Sequence, residues 1–403
     1  MSHTFTFPGV FIEETPSGIV TIAGVATSIT AFVGRTLMGP AAPTDCFGFA
    51  DFTRNFGGRA YDYPLGYAVE DFFQNGGGHA IIVRVLPAAG ATGALGADDY
   101  VGDAAQLNHT GIYALDRVDL FNLLCIPWDR RGMDLPGAVY QKAAEYCLKR
   151  RAMLILDPPS NWIDHARAGD FGKIQPTDLN IGSPDMRERN CAVYFPRVRK
   201  ADSEKDGSVD VFPACGIIAG VIAATDARRG VWKAPAGSGA GIRGIVGLEM
   251  NLTDEQNGML NPLGINCLRD LPAVGPSVWG ARTLRGADML SDEYKYISVR
   301  RLALFIEESL DRGTKFAVLA PNDETLWSQL RLAVGTFMNN LWRQGAFYGQ
   351  RAVDAYAVAC DQTTTTQDDV DRGIVNITVA FAPLKPAEFI VLQIHQQAGQ
   401  TAT

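Results

Sequence analysis

The sequence has few histidines and lacks the motifs in which enzymes place catalytic residues. Its 403 residues include only five histidines, which are isolated from one another, and none lies in an H-E-x-x-H or H-x-E pattern. No G-x-S-x-G nucleophile elbow occurs, and the aspartate-rich segment 368–371 lacks EF-hand spacing. The sequence therefore nominates no catalytic residue and no metal ligand, and we expect no enzyme activity, no cofactor and no metal.

Paired cysteines are missing as well. The seven cysteines are odd in number and widely spaced, and no C-x-x-C motif occurs. This pattern argues against disulfide frameworks and cysteine-based metal sites. Most of the cysteines lie among apolar residues, as Cys125 does in LLCIP, so we expect buried, reduced thiols.

No targeting or membrane segment is visible. The N-terminal residues do not combine a basic region with an apolar one, so we expect no signal peptide. The longest uncharged apolar stretch, 211–225, is shorter than the roughly 20 residues that a membrane-spanning helix needs. We therefore expect synthesis in a cytosol and no insertion into a membrane.

Charge is slightly scarce and is not concentrated in one region. The chain has 36 basic and 44 acidic residues, a formal charge of −8, and 20% charged residues overall. An acidic chain without a basic segment is not typical of a nucleic-acid-binding protein. Apolar residues make up 47%, which supports a large core in two or three domains. The modest amount of charge favours a protein that buries part of its surface against partners.

Helical and strand patterns alternate along most of the chain, which predicts a parallel or mixed sheet covered by helices. A charged loop is expected over 197–210, between the alternating segments and an apolar helix over 213–229. The predicted helices are 51–57, 64–75 and 136–150, and the predicted strands are 80–86, 121–127, 152–159 and 191–196.

The last 110 residues or so read as a separate α+β unit. A helix over 294–312 precedes a predicted strand at 315–320 and a long helix at 324–344, and Gly345 ends that helix. Two further apolar strands follow at 374–381 and 388–395.

The two ends of the chain are apolar strands with little adjacent sequence to pack against. Such segments are expected to add to a distant part of the fold or to another chain. The residues that carry this pattern are Phe5, Phe7, Val10 and Ile12 at one end, and Phe389, Val391, Gln393 and His395 at the other.

The predicted helix 294–312 carries its charges in blocks. Arg300 and Arg301 come one turn in, and Glu307, Glu308 and Asp311 follow about two turns later. One interpretation is an ordinary solvated face. The other is a bipolar patch that matches opposite charges on a partner and sets the register of their contact.

Two glycine-rich segments leave room for a second hypothesis, a soluble α/β enzyme that binds a nucleotide. Residues 75–79 and 236–244 are rich in glycine, but neither contains the lysine of a phosphate-binding loop. The G-A-G of residues 239–241 is not followed by the acidic residue of a dinucleotide fold. Flexible turns explain both segments more simply.

Several segments, in order along nearly the whole chain, resemble the sheath proteins of contractile phage tails and related bacterial injection systems. The matching segments are FPGVFIEETPSG (7–18), VATSITAFVGRTLMGP (25–40), PLGYAVEDFFQNGGGHAIIVRV (64–85), DARRGVWKAPAG (226–237), KYISVRRLALFIEESL (295–310) and ITVAFAPLKPAEFIVLQIHQ (377–396).

This resemblance implies a fold class and a domain division. The expected fold is mixed α/β: an α/β core of subtilisin-like topology, without protease activity, and a C-terminal α+β domain completed by exchanged terminal strands. The expected divisions are an N-terminal arm at 1–25, a core at 26–290 and a C-terminal domain at 291–403, whose own arm is 387–403. A short surface excursion near 87–118 takes the place of the bulky insertions of larger sheaths.

The resemblance also implies a function and partners. The chain is expected to polymerise as stacked six-fold rings around an inner tube, and to contract so that the tube is driven through a target envelope. Helix 294–312 would attach to the tube protein, and baseplate and terminal cap proteins would complete the particle. The compact form favours an injection system over a phage virion, and argues against recognition by a recycling ATPase.

Overall fold

The fold is described from a computed structural model, which covers residues 21–87, 93–104, 109–182 and 186–389. These residues form two compact units. The small unit contains residues 21–24 and 309–382, and the large unit contains residues 25–308 and 383–389. One helix crosses the boundary between them at residues 308 and 309.

The strands of the described residues are β1 Thr30–Gly34, β2 Thr44–Cys46, β3 Ala80–Arg84, β4 Leu123–Cys125, β5 Met153–Leu156, β6 Cys191–Phe195, β7 Val198–Asp202, β8 Ser208–Phe212, β9 Gly247–Leu248, β10 Ile265–Leu271, β11 Gly275–Val278, β12 Tyr356–Ala359 and β13 Thr378–Phe381. The α-helices are α1 Phe49–Phe56, α2 Leu65–Gln74, α3 Ala97–Val101, α4 Gly137–Lys149, α5 Asn161–Arg167, α6 Cys215–Arg229, α7 Asp254–Leu260, α8 Ile297–Gly313, α9 Glu324–Arg343, α10 Ala352–Ala355 and α11 Gln367–Asp371. Short 3₁₀ turns connect several of them.

An eight-stranded sheet organises the large unit. Its strand order is β11-β10-β6-β5-β4-β1-β3-β2. The inner strands pair in parallel, and only the edge strands β2 and β11 run antiparallel to their neighbours. Parallel strands are buried on both faces, which explains why their sequences are continuous apolar runs such as MLIL in β5.

Helices cover both faces of this sheet. On β1, Ala31 and Val33 face one core, which also contains residues of α4 and α5. The intervening Phe32 faces the opposite core, which contains α2 and α6. Because successive side chains of a strand point to opposite faces, one short strand joins the two cores.

Helices α2 and α6 approach each other closely because α6 has glycines at the contact. A Cβ atom on Gly216 would lie 2.0 Å from the carbonyl oxygen of Ala68, and one on Gly220 would lie 2.6 Å from that of Phe72. Both obstacles are backbone atoms, which cannot turn away as a flexible side chain can. The glycines therefore set the distance between these two helices.

This contact predicts that Gly216→Ala destabilises the protein, although alanine favours a helix over glycine by about 1 kcal/mol. The two helices must separate, and overpacking of this kind costs about 1–3 kcal/mol, measurable by urea unfolding followed by circular dichroism. Gly258→Ala in α7 is the matched control, because a Cβ there meets nothing within 4 Å. The control should be neutral or slightly stabilising, and equal effects at both positions would contradict the helix contact.

The small unit packs around α9. Leu326, Trp327 and Leu330 of this helix form a buried cluster with Cys360, which follows strand β12. Asp323 caps α9 by accepting a hydrogen bond from the backbone N–H of Leu326 at 2.9 Å. Strands β12 and β13 pair antiparallel with each other.

The structure confirms the mixed α/β fold class and corrects two local predictions. The segment 197–210, expected to be a loop, contains β7 and begins β8, which form an antiparallel hairpin. The strand expected at 315–320 is instead a 3₁₀ turn over Lys315–Ala317 followed by exposed Val318 and Leu319. The subtilisin-like topology and the division at residue 290 stay predictions.

Candidate assembly surfaces

Helix α8 has the buried apolar stripe that its sequence predicts. Val299, Leu302, Ala303 and Ile306 are all buried, and they recur at helical spacing. The helix begins at Ile297 and ends at Gly313, close to the predicted 294–312. The stripe fixes which of its charged side chains point inward.

Arg301 is one of the inward-pointing residues. Its side chain is 4% exposed, and its guanidinium donates to both carboxylate oxygens of Asp226 at 2.8 and 2.6 Å. It also donates to the carbonyl oxygen of Thr27 at 2.7 Å. Asp226 lies near the end of α6 and is equally buried. This bidentate pair therefore connects α8 to α6 inside the large unit.

Arg300 is also buried. Its Nε donates to the side-chain oxygen of Asn190 at 2.9 Å, and its guanidinium lies over the ring of Tyr294 at 4.8 Å. A guanidinium nitrogen also lies 3.5 Å from a carboxylate oxygen of Glu307. Neither arginine is therefore presented to solvent as part of a surface patch. Their predicted contact with a tube stays a prediction.

The acidic half of the predicted patch is more accessible. The Glu307 side chain is 44% exposed, and Asp311 is exposed as well. Glu308 is more buried and pairs with Arg151 at 2.8 Å. The part of α8 that a partner can reach is therefore acidic, and the predicted tube contact of these three residues stays a prediction.

The N-terminal arm residues Phe5, Phe7, Val10 and Ile12 lie outside the described residues. The described chain begins where this arm would join the small unit. Ile22 is buried there, and a Cβ on Gly313 at the end of α8 would lie 2.4 Å from its Cγ2 atom. The residue at which the predicted N-terminal arm would begin is therefore packed against the end of α8. A side chain at position 313 would collide with Ile22.

The predicted C-terminal arm begins, within the described residues, at an ion pair that the sequence analysis did not foresee. Glu388 accepts two hydrogen bonds from Arg282, Nε to Oε1 at 2.7 Å and a terminal nitrogen to Oε2 at 2.6 Å. The hydroxyl of Tyr296 donates to the same carboxylate at 3.1 Å. Phe389, the next residue, is 77% exposed, and Val391, Gln393 and His395 lie outside the described residues.

We call Arg282, Tyr296 and Glu388 the arm clamp. The Arg282 side chain has no exposed surface and also donates to the carbonyl oxygens of Asn261 and Gly286. Burial by itself raises the pKa of Glu388, but hydrogen bonding to Arg282 and the charges of Arg282 and Lys295 hold that pKa below its ordinary value. The clamp therefore holds an ionised carboxylate at the base of the arm.

The described residues offer little that could support catalysis. All seven cysteines are buried thiols, and burial raises the pKa of the Cys46 thiol to about 11 and that of Cys267 to about 12. Such thiols are poor nucleophiles near neutral pH. No cluster of three metal-ligating side chains, and no helix long and apolar enough to cross a membrane, occurs within the described ranges.

Comparisons with known proteins identify the family of this chain. Residues 190–284 match the family model of the phage tail sheath protein central domain, and residues 291–397 match that of the phage tail sheath C-terminal domain. The two models together cover about half of the chain. The chain belongs to the phage tail sheath family.

Individual relatives extend this match over nearly the full length. A putative prophage major tail sheath protein of Pseudomonas aeruginosa (strain UCBPP-PA14) is 26% identical over 402 residues, which cover 95% of this chain and 94% of that protein. The tail sheath protein of Vibrio phage KVP40 is 28% identical over 181 residues. That match covers 45% of this chain but only 26% of the longer phage protein.

Solved structures have the same fold. The helical sheath of the anti-feeding prophage in its contracted state is 28% identical, with a TM-score of 0.76, and the match covers 98% of this chain and all of that one. The contracted sheath complex of PVC, an extracellular contractile injection system, is 27% identical with a TM-score of 0.73, covering 98% of this chain and 99% of that one. The family and these relatives are structural sheath proteins, not enzymes.

Proposed function

We propose that this chain is the repeating subunit of a contractile sheath, stacked as six-fold rings around an inner tube. The observation that carries this proposal is the match of 98% of the chain to all of a helical sheath subunit in its contracted state. The sequence predicts apolar strands at both ends of the chain, and the structure has a held residue close to each of them, Ile22 and Glu388. A subunit of this kind would join its neighbours through those two arms.

The small unit offers a place for a neighbour's strand. Strands β12 and β13 pair only with each other in the part of the chain that the structure describes. An isolated two-stranded sheet is marginally stable at best, and a third strand would extend it. The arms Phe5–Ile12 and Phe389–His395 would supply such strands from other subunits through backbone hydrogen bonds.

Contraction would then be a rearrangement of rigid subunits that stay connected by their arms. Sliding and rotation of packed bodies need no unfolding of either unit. The free energy would be stored in the packing between extended subunits and released when the sheath shortens. No nucleotide would be consumed.

The remaining partners follow from the same proposal. The inner tube protein would contact the acidic face of α8, and baseplate and cap proteins would terminate the stack. The particle, a phage tail or a tail-like injection device, would be assembled in the bacterial cytoplasm. The short excursion near 87–118 favours the injection device.

Deletion of residues 1–20 tests the proposal. We expect the purified full-length chain to form tubes of uniform diameter in negative-stain electron microscopy, and the deletion to abolish them. The shortened chain should still fold, because its described cores lie entirely in residues 22–377. Circular dichroism and thermal melting check that expectation.

The two possible failures of this test have different meanings. A full-length chain that remains a monomer at high concentration contradicts the sheath function. Intact tubes after the deletion contradict strand exchange through the N-terminal arm but leave the sheath function in place.

A further inference from the structure

One group of cations in the large unit lacks carboxylate partners, whereas most arginines of this chain are paired. Arg229, Lys233 and Arg243 have no ion pair and no side-chain hydrogen bond among the described residues, and all three are exposed. Arg228 donates only to the carbonyl oxygen of Ala224, one turn earlier. We call these four residues the cationic patch.

The patch surrounds a glycine-rich loop that is held rigidly. The N–H of Gly237 donates to the carbonyl of Val278 at 2.9 Å, and that of Ile242 donates to Pro276 at 2.8 Å. The side chain of Asn75 accepts from the N–H of Arg243 at 2.9 Å and donates to its carbonyl oxygen at 3.2 Å. The loop is therefore fixed to both β11 and the end of α2.

The loop also leaves open space between the cations. Its glycines, Gly239 and Gly241, line a groove of about 460 Å³ together with Arg228 and Arg243. A Cβ on Gly239 would lie 3.4 Å from the guanidinium of Arg229, so that cation rests against the loop. Another chain could therefore approach the backbone closely while its acidic side chains reach the cations.

The small unit carries a surface of opposite charge. Helix α11 contains Asp368, Asp369 and Asp371 within five residues. The Asp368 side chain is 82% exposed and meets only the exposed Arg372, at 3.6 Å. Asp369 is used to cap the helix, whereas Asp371 accepts a single hydrogen bond from Gln367. Asp368 and Asp371 therefore keep most of their capacity to bind cations.

We propose that the cationic patch of one subunit binds helix α11 of a second copy of this chain. The inference rests on the proposed sheath function, in which many copies of this chain pack against one another. Exposed ion pairs contribute little affinity each, but they set register and disfavour wrong partners. Repeated in every subunit, this contact would select how neighbours align and would weaken as salt screens it.

Charge exchange tests the contact in the full-length chain. The variant Arg229→Glu with Arg243→Glu reverses two patch cations, and Asp368→Arg with Asp371→Arg reverses two helix carboxylates. We expect each pair of changes to raise the protein concentration needed for tube formation by about tenfold or more. The four changes together should restore assembly to within about threefold of the unaltered chain, as expected when two charges are simply exchanged.

The matched control reverses two cations elsewhere. Lys149→Glu with Arg343→Glu changes the net charge as much as the patch variant does, and both residues are exposed without a carboxylate partner among the described residues. Turbidity, sedimentation and negative-stain microscopy measure assembly, and thermal melting verifies folding. The control should assemble like the unaltered chain.

The outcomes distinguish a failure of this contact from a failure of the proposed sheath function. Rescue by the fourfold variant, together with an unaffected control, supports the contact. Loss of assembly in the patch variant without rescue by the helix changes overturns helix α11 as the partner and assigns the patch to a different surface of the second copy. Normal assembly of the patch variant overturns the contact alone, whereas an unaltered chain that never assembles overturns the sheath function and the contact with it.

Discussion

Replacement of Arg301 by methionine should destabilise the large unit by about 3–5 kcal/mol, because it leaves the buried Asp226 carboxylate without its counter-charge. The two side chains are each 4% exposed and share two hydrogen bonds, so solvent cannot take the place of the arginine. Urea unfolding at neutral pH, below the concentration at which the chain assembles, measures the change.

Two further variants test the cause of that effect. Arg301→Met combined with Asp226→Leu removes both charges and should recover most of the lost stability, since an apolar pair can replace a buried ion pair. Arg54→Met removes an exposed arginine that pairs with Asp51 on α1, and should cost about 0.5 kcal/mol or less. A loss as small as that of Arg54→Met would show that the Arg301 pair does not hold α8.

The sequence predicts the strands β3 to β6 well, because they are buried on both faces, whereas β10 and β11 were not predicted. Runs such as AIIVR in β3 and CAVYF in β6 contain almost no residue that favours solvent. Helices α1 and α2, which precede β3, have apolar stripes and end at Gly57 and Asn75. Local patterns and tertiary packing agree in this region, which is why the predicted and observed elements differ by only a few residues.

The hairpin of β7 and β8 escaped prediction because polar residues occupy its buried face. Burial alternates along β7 as in a regular strand, but two of the inward residues are Lys200 and Asp202. Lys200 pairs with the buried Asp71, and Asp202 accepts a hydrogen bond from the hydroxyl of Tyr67 at 2.6 Å. The sequence signal for the hairpin was Asp206-Gly207 between the two strands, a turn with positive φ at both residues.

The charges of α8 show why a candidate interface cannot be inferred from helix spacing alone. Arg300 and Arg301 are adjacent, so their side chains leave the helix in directions about 100° apart. Both are buried because Asn190 and Asp226, from distant parts of the chain, supply partners for them. A sequence pattern contains no information about such partners, whereas the exposed Glu307 and Asp311 agree with the predicted accessible face.

The two arm junctions give each predicted arm a fixed starting point on its unit. Each arm leaves its unit from a fixed point: Ile22 packs on Gly313, and Glu388 is held by Arg282. A strand exchanged with a neighbour transmits force only if its base does not slide. The arm clamp is therefore the part of the large unit that would bear load when subunits move.

Glu388→Gln should release the base of the C-terminal arm without unfolding the large unit. The amide keeps the size of the carboxylate but loses its charge, whereas Arg282 keeps Asp288 as a second carboxylate partner at 3.0 Å, so docking of the arm should weaken by about 1.5 kcal/mol. At neutral pH this predicts chymotryptic cleavage after Phe389 that is about tenfold faster than in the unaltered monomer. Mass spectrometry identifies that cleavage site. The same variant should form fewer and shorter tubes.

The pH dependence of the clamp provides an independent check. The pKa of Glu388 lies below its ordinary value of 4.5, so the clamp should be at full strength above that pH and lost as the pH falls through the lower folded value. Hydrogen exchange of residues 383–389, corrected for intrinsic rates, should therefore increase on acidification in the unaltered chain but not in Glu388→Gln. Lys385→Gln is the control, because Lys385 is exposed and has no ion pair among the described residues. Equal rates of chymotryptic cleavage in the unaltered chain, in Glu388→Gln and in Lys385→Gln would refute the clamp. The base of the arm would then already be free in the unaltered chain, so loss of the charge would change nothing.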